Sequence, residues 1–328
     1  MPHSAPSRLR VAAIGFLNPA PLMWDFDHPP LASSLAARYL VHSTQPSLCA
    51  DELLANRADL GLIPIASLTP EFAIVSNCAI ASLDRVRSIQ LIVKLDHRRS
   101  DNTVCHSDPD RERSEGEGEE SPHFARSATD SNPESVDRAL ACVRTVAADT
   151  ASRSSLAYAQ ILFRKFIRTD PTFIPAPADP IAMLSHADAA LLIGDPALVA
   201  LESRARIESA VGPCLWLDLA HQWTSRTRLP WVAAVWAVRP ESLAASALTA
   251  AQLTADLQLS RDHGLAHIDS LVSEWTPRIA IPPATVRHYL THHIHYTLSP
   301  ACIQAIELFR RYAAEANLLP PLPTLRFL

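Results

Sequence analysis

The sequence predicts an α/β protein of two lobes, joined by two crossover strands and closed by C-terminal helices. Three observations carry this reading. Short apolar runs that stop at Pro, Gly or small polar residues alternate with amphipathic segments, which is the pattern of repeated βα units with parallel strands. Two further apolar runs, 86–93 and 231–238, are placed to carry the chain out of the first lobe and back into it. From 242 to 316 the pattern is helical, interrupted at Pro277, Pro282, Pro283 and Pro300. The first lobe is then 1–88 together with 236–328, and the second is 89–235.

Taken in order, residues 10–15 form a short buried strand that stops at Gly15-Phe16-Leu17-Asn18-Pro19. Pro19 and Pro21 forbid continuation of a ladder, so Asn18 is left on a loop at the carboxyl end of a strand, where α/β sheets bind ligands. An Asn there offers a donor and an acceptor, or it makes an Asx-turn ahead of Pro19. An amphipathic helix fits 30–39, a strand 40–42, and a helix 47–56 capped by Ser47. Residues 58–67 read as a strand ending in Pro64 and the small polar Ser67. Residues 74–80 and 86–93 add two more strands, the second carrying Ser88.

Between 97 and 137 the composition changes. From Asp101 to Asp137 there are eleven acidic residues against three arginines and almost no large apolar side chains. Such a stretch cannot bury enough apolar surface to offset the roughly 1–2 kcal/mol per residue that backbone ordering costs, and it reads as a disordered acidic insertion.

Order returns at 136–146, with a strand around 143–148, followed by Asp149-Thr150-Ala151-Ser152-Arg153-Ser154-Ser155 and an apolar-periodic helix. A strand-to-helix turn is an anion cradle, because the first helical N–H groups lack internal partners and the dipole is positive there. Ser152, Ser154 and Ser155 add hydroxyl donors without adding charge; the alternative is that Ser152 or Ser154 only N-caps the helix. Strands at 172–175 and 187–195 follow. The second ends in Gly194-Asp195, with Asp195 either an N-cap for a helix at 196–201 or a carboxylate in the cleft. This plan is that of a two-lobed periplasmic-binding-protein-like fold of the second type. It brings Asn18, Ser67, Ser88, the 152–155 turn and Asp195 to a cleft between lobes.

The composition excludes several function classes. A chain of 328 residues with 48% hydrophobic and 19% charged residues is ordinary for a soluble globular protein, and it has no apolar run near the roughly 18–20 residues of a spanning helix. A net charge of −5 provides no basic footprint for nucleic acid. No secretory signal pattern opens the chain, so a cytoplasmic location is expected. Six cysteines without a C-x-x-C pair read as small buried apolar residues rather than metal ligands. His288, His292, His293 and His295 crowd one segment but lack the Glu of H-E-x-x-H, and read as solvated or capping groups. Seven glycines and no Gly-rich phosphate loop leave a nucleotide cofactor unexpected. A small-molecule ligand, no metal and no cofactor are what the chain predicts.

Several segments together resemble one family, the chorismate dehydratases of the futalosine route to menaquinone. Gly15-Phe16-Leu17-Asn18 is similar to its S-Y-L-N segment, Val86-Arg87-Ser88-Ile89-Gln90-Leu91 to V-x-S-V-x-L, and the 149–155 turn to D-x-x-S-R-T-S. Leu192-Ile193-Gly194-Asp195 matches L-I-G-D, and 218–236 resembles the D-L-x-x-x-W-x-x-x-T-G-L-P-F-V-F-A-V-W block. Segments at 290–298 and 309–319 resemble the C-terminal tail, so the likeness spans nearly the whole chain outside 97–137. Ser154 stands in place of a Thr, Arg228 of a Gly, and Phe16 of a Tyr, so any role of that phenol is lost.

The resemblance implies a hydro-lyase acting on chorismate. It assigns Ser152, Ser154 and Ser155 to one substrate carboxylate, Ser88 to the other or to the ring, and Asn18 to orienting the 4-hydroxyl or a carboxylate. Arg153 either pairs with a carboxylate or points to solvent, and Ser67 and Asp195 complete the expected cleft. The general base is either the substrate's own enolpyruvyl carboxylate or Asp195. A non-catalytic binder or sensor of an aromatic carboxylate, and the related naphthoate synthase of the same route, are the competing readings.

Overall fold

The computed structural model describes residues 8–95, 132–149, 151–322 and 324–328. Four strands come first: β1 (Leu9–Ile14), β2 (Tyr39–Thr44), β3 (Leu60–Pro64) and β4 (Ala73–Ser82). The chain then crosses and builds β5 (Ile89–Lys94), β6 (Thr145–Ala148), β7 (Thr172–Pro175), β8 (Ala189–Ile193) and β9 (Cys214–Asp218). It returns as β10 (Trp231–Val238).

The two sheets share one plan. The first has the order β2-β1-β3-β10-β4 and the second β7-β6-β8-β5-β9. In each, three parallel strands meet an antiparallel one delivered by a crossover: β10 runs against β3 and β4, and β5 against β8 and β9. β3 and β8 are buried along their whole length, as continuous apolar strands covered by helices on both faces should be. Because the parallel strands β1, β6 and β8 all run toward the space between the sheets, their carboxyl ends deliver the loops that form the cleft.

The C-terminal segment closes the first sheet. His295 bridges Ala81 and Phe327 bridges Ile74, so that this segment covers the edge that β4 would otherwise expose. Among the described residues, no helix is long and apolar enough to cross a membrane.

Several expected elements differ in extent. The helix expected over 30–39 shrinks to Ala32–Ala36, with only Leu35 buried, because β2 already begins at Tyr39. Ser47 does not cap the next helix. That helix is Pro46–Leu54, entered from Gln45 with Pro46 in the first turn, where a missing N–H costs nothing, and the Ser47 amide donates instead to the Ala151 carbonyl. The strand expected over 58–67 stops at Pro64 and tightens into a 3₁₀ turn, Ile65–Ser67. The strand expected from 86 starts only at Ile89, since Val86 and Arg87 donate their amides to the Asp218 carboxylate rather than to a ladder. All of β10 lies in the first sheet, so a lobe boundary at 235/236 would cut a strand, and the return falls before Trp231. Cys142 is exposed rather than buried.

The acidic insertion expected over 97–137 lies outside the described residues as far as 131. Its last residues depart from the expectation. Asn132 N-caps the helix Pro133–Ala141, accepting from the Glu134 amide, and Asp137 pairs with Arg226. Val136 and Leu140 face the core and hold this helix in place.

Candidate active site

Four chain segments meet between the sheets: the loop after β1, the crossover before β5, the turn after β6 and the turn after β8. They enclose a small cavity whose polar lining is Asn18, Ser88, Ser152 and Ser155, with Phe16, Ile193 and Trp231 among its apolar walls. Its volume of about 40 Å³ is little more than one water occupies, so a benzoate-sized ligand requires the lobes to part. Beside it lies a wider cavity of about 750 Å³, lined by Asp27, His28, Asp195, Glu274 and Arg278; Ile14 and Phe16 form part of both walls.

The serine turn is fixed from below. The Asp149 carboxylate accepts from the Ala151 amide at 3.0 Å and from the Ile193 backbone, tying this turn to the end of β8. Burial pushes the Asp149 carboxyl above its ordinary range, partly offset by those two bonds. Ser152 then caps the helix Arg153–Ile161, its Oγ accepting from the Ser155 amide at 3.3 Å and from the Ser155 hydroxyl at 3.0 Å. The capping reading and the cleft reading therefore both hold for its position. With both acceptor sites of Ser152 Oγ filled from within the turn, its own O–H is the group left for the cavity.

Ser88 is held just as tightly. Its carbonyl accepts from the Gly194 amide at 2.7 Å and its amide donates to the Val86 carbonyl. The Asp218 carboxylate grips the preceding residues Val86 and Arg87 while it also N-caps the helix Leu219–Thr227. Ser88 Oγ accepts from the buried Tyr289 hydroxyl at 2.8 Å. Asp218 and Tyr289 were not singled out from the sequence. Asp218 stood inside a recognised segment, whereas Tyr289 gave no local signal.

Asn18 does not make the Asx-turn. Its Oδ1 is buried and no described residue donates to it, although an unsatisfied buried acceptor costs about 1–3 kcal/mol. Asp195 is not an N-cap either: Ile193 occupies that position of the helix Gly194–Glu202. Asp195 Oδ1 accepts instead from the Leu17 amide at 3.0 Å, so a carboxylate of one lobe clasps the loop of the other that carries Asn18. The Phe16 ring lies over Gly194, where a Cβ would stand 2.7 Å from the ring and where φ is +63°.

Burial raises the Asp195 carboxyl to about 6, against the Leu17 bond that lowers it. The unfolded value is about 3.9, so between these values the folded chain binds more protons and its stability falls as pH rises through the window. Asp195→Asn is expected to remove that contribution. Urea unfolding of both proteins at about pH 4 and about pH 7 should show a smaller loss in the variant, and an equal loss in both would reject the raised carboxyl.

Three expected site residues fall elsewhere. Ser154 is fully buried, donating to the Ala233 carbonyl at 3.0 Å and accepting from the Ala66 amide at 3.2 Å, which leaves no O–H donor for a carboxylate. Arg153 turns outward, its Nη2 reaching both Asp51 carboxylate oxygens at 2.7 and 2.8 Å. Ser67 is buried beside Ala66, away from the cavity wall, and its Oγ has no partner among the described residues. Together with Ser47 and Asp195, residues 153 and 154 are ties between the lobes. Ser154→Ala is accordingly expected to lower unfolding stability by about 1–3 kcal/mol, since it orphans a buried amide, while Arg153→Ala should change it by less than about 1 kcal/mol. Chemical denaturation of the two variants checks this, and an Arg153→Ala loss exceeding that of Ser154→Ala would reverse the assignment.

A protein-family model described as menaquinone biosynthesis matches residues 9–110 and 126–315. The chain belongs to this menaquinone-biosynthesis family. A chorismate dehydratase from Thermus thermophilus is 30% identical to it over 128 residues, which cover 37% of this chain and 45% of that relative. In that match the chain therefore spans less than half of the relative's length. Solved structures share the family member's fold at low identity. A protein of Archaeoglobus fulgidus superposes with a TM-score of 0.62 at 12% identity over 95% of this chain and 98% of its own. The alkanesulfonate-binding protein SsuA of Xanthomonas axonopodis pv. citri, bound to MOPS, gives 0.59 at 15% over 97% and 96%. A Candida albicans gene product described as having the generic periplasmic binding protein fold gives 0.58 at 9% over 96% and 91%. The architecture is thus the periplasmic-binding-protein-like one expected.

Proposed function

We propose that this protein is a chorismate dehydratase, converting chorismate to 3-[(1-carboxyvinyl)oxy]benzoate and water. The observation that carries the reading is the polarity of the small cavity. Among the described residues, two fixed hydroxyls, Ser88 and Ser152, have their own O–H free, and one buried amide oxygen, Asn18 Oδ1, has no donor. Free O–H groups suit carboxylate oxygens, and a free acceptor suits a hydroxyl. Chorismate is a dianion with one ring hydroxyl at the carbon that must lose it.

The reaction removes the C3 hydrogen and the 4-hydroxyl, and the product is aromatic. Charge that develops at C3 spreads through the ring alkene onto the ring carboxylate. Donors around that carboxylate stabilise the transition state more than the ground state. Ser152 and the first N–H groups of the helix Arg153–Ile161 take this role, with Ser155 holding Ser152 in place. Ser88 binds the ring or the second carboxylate, and Asn18 orients the 4-hydroxyl for departure. Asp195 lies in the wall of the wider cavity with its Oδ1 on the Leu17 amide, which favours the carboxylate of the substrate's enolpyruvyl side chain, carried on C3 through its ether oxygen, as the base.

Likeness to a sulfonate-binding protein supports a second reading, a non-catalytic binder of an aromatic carboxylate. Purified protein incubated with chorismate separates the two. Rising absorbance of a benzoate-type product is the expected result, and saturable binding with no chemical change would favour the binder.

A further inference from the structure

We propose that Tyr289 is a positioning residue for the reaction, setting Ser88 as a fixed donor toward the substrate. The inference rests on the dehydratase reading and adds to it a residue from the C-terminal segment. Tyr289 is the first residue of the π-helical turn Tyr289–His293, is 1% exposed, and places its hydroxyl 2.8 Å from Ser88 Oγ. No other hydrogen bond of this hydroxyl is found among the described residues, so its direction follows from satisfaction. Were Ser88 to donate to Tyr289, the phenolic proton would be buried without an acceptor, which costs about as much as a lost hydrogen bond.

Tyr289 therefore donates, and Ser88 Oγ is left with its own O–H for the cavity whose wall it forms. Burial raises the phenol above its ordinary range, so it stays protonated and keeps donating across the working pH range. The turn that holds it is anchored at the crossover itself: His293 Nδ1 lies 3.0 Å from the Arg85 carbonyl, and the His295 and Ala81 backbones exchange hydrogen bonds. Ser88 is thus gripped from three sides, by Asp218 through the preceding amides, by Gly194 at its carbonyl and by Tyr289 at its hydroxyl.

The test is a double-mutant cycle of Tyr289→Phe and Ser88→Ala, read in chorismate kcat and KM and in thermal melting. Tyr289→Phe removes one oxygen and is expected to lower kcat/KM roughly tenfold to a hundredfold, the size of one hydrogen bond to a charged group. In the Ser88→Ala background the same change should have almost no further effect on kcat/KM, because the hydroxyl it aims is gone. A variant that melts lower yet turns over within about twofold of wild type, or losses that multiply in the double variant, would overturn the proposal. Should wild type bind chorismate without turning it over, the dehydratase reading alone fails. The same cycle is then read in the affinity for isophthalate, a dianionic benzene, where non-multiplying losses again support Tyr289. Independent losses, or no isophthalate binding by wild type, count against it.

Discussion

Asn18→Asp is expected to abolish turnover in a protein that melts like wild type. The two side chains are nearly the same size, Asn18 Oδ1 accepts no hydrogen bond from any described residue, and both residues suit a loop before proline, so the fold has little reason to respond. The cavity does. A dianionic substrate would meet a new carboxylate, and at about 4 Å with an effective dielectric near 20 the repulsion is about 4 kcal/mol, or roughly a thousandfold in binding or rate. A variant with a wild-type melting curve that dehydrates chorismate within about threefold of wild type would remove Asn18 from the site.

Gly264→Ala is expected to damage both stability and activity from outside the cleft. Gly264 lies in the helix Ala250–Ala266, where it packs against the 3₁₀ turn Ala20–Met23 that immediately follows the Asn18 loop. A Cβ at 264 would stand 2.1 Å from the Pro21 carbonyl oxygen and 2.5 Å from Pro21 Cα. These are backbone atoms, with no rotamer to yield, so either the helix or the turn must move. Overpacking of this kind costs about 1–3 kcal/mol or more, against a gain of about 1 kcal/mol from helix propensity. Displacement of the turn also moves Asn18 out of the cavity wall, so turnover should fall further than the loss of folded protein accounts for. Urea unfolding and kcat/KM on the same preparation check this, and a variant matching wild type in both would show that the two elements separate freely.

The site was legible in the sequence where chemistry is written locally. A strand end followed by Asn-Pro, and a strand-to-helix turn rich in Ser, each announce themselves by residue type and breaker position. What the turn does with successive residues was not legible, because it depends on helix phase against a partner. Each residue advances the helix by about 100°, so from Ser152 the chain presents Arg153 outward to Asp51, Ser154 inward to β10, and Ser155 back onto the cap. Three hydroxyl-bearing residues in one turn cannot all face the same ligand. Tyr289 was hidden for another reason: its partner lies 201 residues away, and a buried Tyr in an apolar-periodic segment looks like core. The start of the helix Pro133–Ala141 is hidden because its first residues share the acidic composition of the stretch before them, while the burial that seats it comes from Val136 and Leu140 further on.

A chorismate dehydratase removes water from its substrate while keeping the enolpyruvyl group in place. Chorismate has two groups that can leave on aromatisation, and the mass of the product distinguishes them. Purified protein is incubated with excess chorismate, the product is collected at several times, and its mass is compared with that of the substrate. The expected result is a single enzyme-dependent product lighter by one water and retaining the carboxyvinyl ether. An enzyme-dependent product that has lost pyruvate instead, or chorismate recovered unchanged, would contradict it.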